Sequence, residues 1–375
     1  MQFGKADRVN QLIFDIAAEF IDPKLIIKIS PLGNGNINDT YLVSTCSEQR
    51  QDFVLQKLNS NVFSNPKAVV MNMELLLNHI QSKLGSGNDK LNNLTWQIPS
   101  LRRASNSNNN WHLVAGSFWR ATSFIDQAYS TDVIDNYQKA EEIGTGLGIF
   151  HWLMEGISID KLNETIKDFH VTSVYYDKFI LTLNSVDMIQ SEDAKWCIDF
   201  IKSRRGLVSI LENAICSGEL YLRPIHGDPK INNFMFDKNS HKTIAMVDLD
   251  TLMAGLIHYD IGDCVRSGCN PAGEEEKDLN NVFFDFDKCK AILSGYLNKM
   301  GSSLTEYDFK YLYAAIRLIP FELGIRFFTD YLAGNKYFKV DSLEHNLDRA
   351  MVQFKLTESI EEQEYMIKQC IEDLK

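Results

Sequence analysis

The chain has 375 residues, 45% of them apolar and 23% charged, a balance that argues against long disorder and supplies core for two or three domains, or two lobes around one site. Its 38 Lys and Arg against 50 Asp and Glu leave a formal charge of −12. That disfavours a nucleic-acid backbone as the main partner, since such binding is driven by clustered basic residues. A small anionic ligand stays compatible, because a pocket can be positive on an acidic protein.

No stretch approaches the ~20 apolar residues needed to span a bilayer. The first twenty residues carry acidic side chains inside an apolar pattern and read as an amphipathic helix, not a signal peptide. The cysteines at 46, 197, 216, 264, 269, 289 and 370 form no Cys-x-x-Cys pair, and no His stands at ligand spacing from Cys264 or Cys269. The expectation is a cytoplasmic protein with reduced thiols, without a zinc site, a membrane or a nucleic acid among its partners.

In chain order, residues 8–21 repeat apolar positions at helical spacing, and Pro23 ends that helix. LIIKISPLG, TYLVSTC and DFVLQKL are short β-branched or aromatic runs separated by GNGNIND and SEQRQ, so they read as an antiparallel sheet with a Gly-containing loop between its first two strands. A helix is expected over 66–84. TWQIPSLRR and WHLVAGSFWRATSFI read as two further strands joined by SNSNNN. Beyond Tyr137 the pattern is helical over 134–154, 172–184, 190–217, 275–299, 305–334 and 341–373. A β-like island interrupts it at YLRPIHGD, NNFMFD and KTIAMVDLD. The fold class is therefore α+β: a small antiparallel sheet lobe over 1–125 and a larger, mainly helical lobe over 126–375, with a hinge near 124–130.

The island holds the sharpest chemical signal. His226-Gly227-Asp228-Pro229-Lys230-Ile231-Asn232-Asn233 sets an Asp five residues before an Asn, and Asp248 follows the apolar strand IAMV. Phosphoryl transfer from ATP-Mg needs this set: a carboxylate to accept the proton of the attacking hydroxyl, and an amide oxygen with a second carboxylate to hold Mg²⁺ on the phosphates. Asp250 stands open between a second metal ligand and a structural acceptor, and His226 reads as an orienter of the loop. Gly33-Asn34-Gly35-Asn36-Ile37-Asn38 runs into a strand, unlike a dinucleotide fingerprint, and lacks the Gly-Lys-Ser/Thr of a P-loop.

His-Gly-Asp-x4-Asn followed by an apolar-Asp element resembles the aminoglycoside phosphotransferase and choline kinase superfamily, small-molecule kinases with a protein-kinase-like fold. HGDPKINNFMFD, MVDLDTLMAGLIHYDIGDCVR and RFFTDYLAGNKYFK resemble N-acetylhexosamine 1-kinases in particular, and the likeness runs over roughly 30–340. The resemblance implies a catalytic base at Asp228, Mg²⁺ ligands at Asn233 and Asp248, and structural roles for Asp260 and Asp263. It implies an ATP-covering loop with Gly33 and Gly35, in which Asn38 replaces a third glycine. A strand lysine paired with a helix glutamate is expected at Lys57 and Glu74, although Gln56, on the opposite strand face, competes for the lysine's position. Adenine is expected against the backbone of Ser123–Ile125. For the acceptor it points to Arg326 and Asp330, which an intrahelical ion pair would equally explain. Asp168, Phe169 and His170 are family-like without a derivable role.

The resulting expectation is an ATP- and Mg²⁺-dependent kinase phosphorylating the anomeric hydroxyl of an N-acetylhexosamine. Its alternatives are kinases of an aminoglycoside, choline or another amino alcohol, and a nucleotide-binding regulator without catalysis. No Ala-Pro-Glu-like anchor is present, which disfavours a protein kinase.

Overall fold

A computed structural model describes residues 5–33, 37–46, 51–84, 95–105, 107–186 and 191–375. Two compact units result: Met1–Gln127 with Asn163–Ile166, and Ala128–Leu162 with Lys167–Lys375.

The first unit contains α1 (Lys5–Ala18), β1 (Ile26–Pro31), β2 (Asp39–Thr45), β3 (Phe53–Leu58), α2 (Pro66–Leu84), β4 (His112–Val114) and β5 (Ser117–Ser123). The strands form one antiparallel sheet in the order β1-β2-β3-β5-β4. Strand alternation divides the sheet's side chains between two small cores. Phe53, Leu55, Trp119 and Ala121 pack with Ile13 and Ile16 of α1 on one face. Leu58 and Phe118 pack with Val69 and Val70 of α2 on the other.

The expected strand over TWQIPSLRR does not form. Only Leu101 bridges Thr122, with Ser123 donating to the Ser100 carbonyl at 2.8 Å and Arg102 to that of Ala121 at 2.9 Å. Pro99 has no N–H to give to a ladder. The hairpin lies instead inside the following run, where Ala115 and Gly116, at φ 48° and 75°, make the two-residue turn between β4 and β5.

The second unit contains β6 (Ala128–Tyr129), α3 (Tyr137–Met154), α4 (Thr172–Asn184), α5 (Glu192–Ser203), α6 (Ile210–Cys216), β7 (Arg223–Ile225), β8 (Phe234–Asp237), β9 (Thr243–Met246), β10 (Met253–Gly255), α7 (Ile257–Gly268), α8 (Phe286–Met300), α9 (Glu306–Leu332), α10 (His345–Glu362) and α11 (Glu364–Asp373). Its strands make a sheet in the order β6-β8-β9 and a separate β7–β10 pair. The main core joins α4, α5, α6, α7, α9 and α10 through residues such as Phe179, Phe200, Tyr259, Phe321, Phe328 and Phe354. Thr305 and Asp308 close a reciprocal capping box at the start of α9.

The helix expected over 190–217 is broken by a 3-10 turn at Arg205–Leu207, and the one over 341–373 divides at Gln363. The one expected from 275 begins only at Phe286, where Asp285 caps Lys288 N–H at 3.1 Å. The sequence reading assigns no helix to 257–268, where α7 stands. Its polar side chains His258, Asp260, Asp263 and Arg266 are buried along with its apolar ones. No helix among the described residues is long and apolar enough to cross a membrane.

Candidate active site

The loop between β7 and β8 carries Asp228, and side chains from distant places in the chain fix its backbone. Asp260, in the first turn of α7, accepts from His226 N–H at 2.7 Å and Gly227 N–H at 2.8 Å. His151 of α3 adds a third bond to Asp260 at 2.8 Å, and Tyr296 of α8 meets the other His151 nitrogen at 2.9 Å. Burial alone raises an aspartate, but His151, His226 and the Gly227 N–H outweigh it and hold Asp260 below the ordinary carboxylate value. Thr251 donates to the His226 carbonyl at 2.8 Å. Gly227 sits at φ 85°, where an added Cβ would lie 2.7 Å from the Thr251 carbonyl oxygen, so the loop needs glycine there.

His226 has the orienting role expected of it. Its Nε2 lies 2.9 Å from the Val247 carbonyl, and its Nδ1 accepts the Asp228 N–H at 3.3 Å. That pattern is a neutral ring with hydrogen on Nε2, and burial indeed lowers its pKa. Val247 is held from its other side by its N–H to the Asn233 carbonyl at 2.9 Å. The residue before Asp248 is thereby tied to both ends of the Asp228 loop. Asp248 itself is exposed at φ 62°, and Leu249–Thr251 then turn in a 3-10 helix. The strand does not continue, and Asp250, 2% exposed, is buried while Asp248 is not.

Asp228 keeps 31% of its side-chain surface and pairs with Lys230 at 2.9 Å. Its burial acts upward, and Lys230, with His226 and Arg266, more than offsets this, so the carboxyl titrates below the ordinary range. The pair in turn raises Lys230, with Asp248 and Asp263 adding to the effect. Lys230 was missed by sequence reasoning as a member of the site; its place two residues after Asp228 was the available signal. Asp263 does not support the loop backbone but pairs with Arg266 at 2.7 Å.

Asn233 spends its amide nitrogen on the Asp228 carbonyl at 2.7 Å, with the Asp228 carboxylate at 3.4 Å. Its Oδ1 is the atom left for a cation. Oxygen donors on Asn233 and Asp248 suit Mg²⁺, and no cluster of three His, Cys, Asp or Glu is preformed among the described residues. Few protein ligands, with phosphate and water completing the shell, is the ordinary manner of Mg²⁺ binding in such enzymes.

On α9, Arg326 and Asp330 part company. Asp330 accepts from the N–H groups of Lys336 and Tyr337 at 2.9 and 2.8 Å, and from Phe338 N–H and Asn346 Nδ2 at 2.9 and 3.0 Å. Both carboxylate oxygens organise the turn after the helix, which corrects the expectation of Asp330 as a substrate contact and equally removes the Arg326 ion pair. Arg326 instead lies over the rings of Phe169, Tyr175 and Phe338 at 5.3, 5.1 and 5.8 Å. Among the described residues no carboxylate pairs with it. Asp228 and Glu322 are among the charges acting on Arg326. Burial pushes the neighbouring Tyr175 phenol up to about 12.

In the first unit the alternation of β3 corrects another expectation. Gln56 shares the α2 face with Leu58, whereas Lys57 shares parity with Phe53 and Leu55, toward α1. No Lys57–Glu74 ion pair forms, and Glu74 accepts from Asn110 Nδ2. On the α2 face, Gln56 Oε1 receives Arg120 Nε at 3.1 Å and Nη2 at 2.8 Å, and Gln56 Nε2 donates to Thr40 at 3.3 Å. Arg120, 2% exposed, was missed by sequence reasoning, though the alternation of SFWRATS marks it. Gly33 stands at φ 70°; Gly35 lies outside the described residues. Asn38 braces the end of β3, its Oδ1 accepting Asn59 N–H at 3.0 Å. Of the amides expected to face adenine, Ser123 N–H goes to Ser100 at 2.8 Å and Phe124 N–H to Asp52 at 3.2 Å. Ile125 N–H makes no hydrogen bond among the described residues.

A model of the phosphotransferase enzyme family matches residues 28–285. Among solved structures, an aminoglycoside phosphotransferase from Alicyclobacillus acidocaldarius superposes with a TM-score of 0.62 at 11% identity, covering 96% of each chain. A choline kinase from Cryptosporidium parvum gives 0.60 at 15% identity, covering 96% of this chain and 97% of its own. An ethanolamine kinase from Plasmodium vivax gives 0.58 at 13% identity, covering 94% and 90%. At such identities the likeness establishes the kinase-like fold. The family match spans more than two-thirds of the sequence and includes the whole Asp228–Asp248 constellation, so the chain belongs to the phosphotransferase enzyme family.

Proposed function

We propose that the protein transfers the γ-phosphoryl group of ATP to the anomeric hydroxyl of an N-acetylhexosamine, with residues 1–125 serving the nucleotide and 126–375 the acceptor and the chemistry. The anomeric oxygen attacks the γ-phosphorus, its proton passes to the Asp228 carboxylate, and ADP leaves. Asp228 titrates low, so it is a ready acceptor but a weak base. Most of the rate then comes from holding the hydroxyl in line and from charge stabilisation, to which Lys230 contributes. Asn233 Oδ1 and Asp248 would hold Mg²⁺, which when bound neutralises charge on the phosphate oxygens.

The observation that carries the acceptor class is Arg326. A guanidinium without a carboxylate partner among the described residues, set among Phe169, Tyr175 and Phe338, offers donors to hydroxyl and carbonyl oxygens and rings to an apolar sugar face. It repels an ammonium group. Within the neutral class, the likeness of RFFTDYLAGNKYFK to the hexosamine kinases supports the sugar. A cationic amino alcohol is the second reading, favoured by the likeness to the choline and ethanolamine kinases.

Phosphorus NMR with ATP, Mg²⁺ and a panel of N-acetylglucosamine, N-acetylgalactosamine, choline, ethanolamine and kanamycin tests both. A new resonance coupled to an anomeric proton is the expected result. Transfer to choline or ethanolamine alone would withdraw the sugar and keep the kinase.

A further inference from the structure

Phe169 lies under Arg326, but the residues on either side of it, Asp168 and His170, have no part in the site as described, yet they are held in an unfavourable conformation. Asp168 and His170 stand at φ 54° and 61°, in the left-handed region that residues with a side chain enter only at a cost. The strain places the His170 ring, 4% exposed, between two acceptors. Nδ1 lies 2.9 Å from Glu322 Oε1 on α9, and Nε2 lies 2.9 Å from the Gly227 carbonyl. Thr172 donates to Glu322 Oε2 at 2.7 Å, which favours the ionised carboxylate. With a carboxylate on one side and a carbonyl on the other, both contacts become hydrogen bonds only if both ring nitrogens carry hydrogen.

The peptide that precedes the Asp228 Cα is consequently pinned at each end. Its carbonyl, from Gly227, meets His170, and its N–H, from Asp228, meets His226 at 3.3 Å. Rotation of this peptide plane would swing the Asp228 side chain, and glycine, without a side chain, offers no resistance of its own.

We propose that His170 is a positioning residue for phosphoryl transfer: as an imidazolium it clamps the Gly227 carbonyl to Glu322, and Asp228 keeps its working orientation only while His170 is protonated. The proposal rests on the kinase reading of the Asp228 loop. The groups facing His170 are Glu322 and Arg326 from α9, the Tyr259 ring from α7 stacked at 5.2 Å, Tyr175 from α4 and the adjoining Phe169 at 4.1 Å. Burial acts to lower the imidazole and Arg326 acts with it, while Glu322 and the Gly227 carbonyl outweigh them, so His170 titrates above the ordinary value. The clamp is therefore intact below the ordinary imidazole value and released as pH rises through the raised one.

Two measurements decide it. Nitrogen-15 shifts of the imidazoles, with His170 assigned by its contact to the Tyr259 ring or by its loss in His170→Gln, are expected to show both His170 nitrogens protonated at pH 6. A neutral ring at pH 6 would overturn the clamp, whether or not an acceptor is known. With the acceptor found by phosphorus NMR, wild-type kcat is expected to fall on the alkaline side. His170→Gln should lose about 10- to 100-fold in kcat, with KM for ATP little changed. Glu322→Gln should abolish the alkaline fall, because a Gln amide can donate to Nδ1 while a neutral ring still donates from Nε2 to Gly227. An alkaline limb identical in wild type and Glu322→Gln would overturn the proposal. Failure of every acceptor would count against the kinase reading instead, and the nitrogen shifts keep the two failures apart.

Discussion

The sheet of the first unit and the Asp228 loop of the second use buried polar side chains in opposite ways. Around the loop, each bracing side chain is addressed to backbone: Asp260 to two N–H groups, Thr251 to the His226 carbonyl, His226 to the Val247 carbonyl and His170 to that of Gly227. In the sheet, the ladder already satisfies the backbone, and Gln56 addresses the side chains of Arg120 and Thr40. A polar substitution at the loop should therefore move the chain, whereas one in the sheet should leave the backbone in place and lose only the side-chain bonds of that face. A ladder needs no help to hold its shape, and a loop of irregular dihedrals does.

The largest effect tests what the loop's geometry is for. Asp228→Asn keeps the size of the side chain and should reduce kcat by about 10³-fold or more, with ATP binding by calorimetry nearly unchanged. Equal loss of turnover and ATP binding would sink the assignment of Asp228 as the base. Asp260→Asn goes to the brace itself. It turns an amide N–H toward loop N–H groups in a site with no exposure, and should cost about 3 kcal/mol of stability, read as a lower urea midpoint at unchanged m. If the midpoint stays put, side-chain bracing is not what holds the loop.

Lys230→Met comes next, with an expected loss of about 10²-fold in kcat. It also has a signed pH effect. Lys230 is the main influence holding Asp228 below the ordinary value against burial, so its removal should move the acid limb of kcat/KM to higher pH. In the wild type the ionised carboxylate persists above that limb and is lost as pH falls through it. An unmoved limb would mean that Lys230 does not act on Asp228.

This contrast also explains what the sequence made visible. Asp228, Asn233 and Asp248 stood out as a set because one loop carries the first two and the second strand after it leads into the third. Asp260 was placed as a structural residue from its neighbours in YDIGD. Asp330 was misread because helical spacing puts it four residues from Arg326. The deciding feature lies past the helix end, where Gly334 and Asn335, at φ 83° and 55°, turn the chain so that the N–H groups of 336–338 return to the carboxylate. The brace from His170 and the support of Asp260 by His151 were beyond reach, since each contact spans more than fifty residues of chain.

The smallest expected effect sharpens the comparison from the sheet's side. Strand parity places Lys57 on the α1 face and Gln56 on the α2 face, so a lysine that looks like a phosphate ligand in FVLQKL has no partner in Glu74. Lys57→Met should leave stability within about 0.5 kcal/mol, as for other substitutions outside a core, and the same energy in binding is only about a twofold change in KM for ATP. Gln56→Ala removes the acceptor of two Arg120 bonds, and a buried donor left unsatisfied costs about 1–3 kcal/mol, so its midpoint should fall where that of Lys57→Met does not. A large rise in KM for ATP in Lys57→Met would show that parity within β3 is the wrong guide to its chemistry, and would return Lys57 to the phosphates.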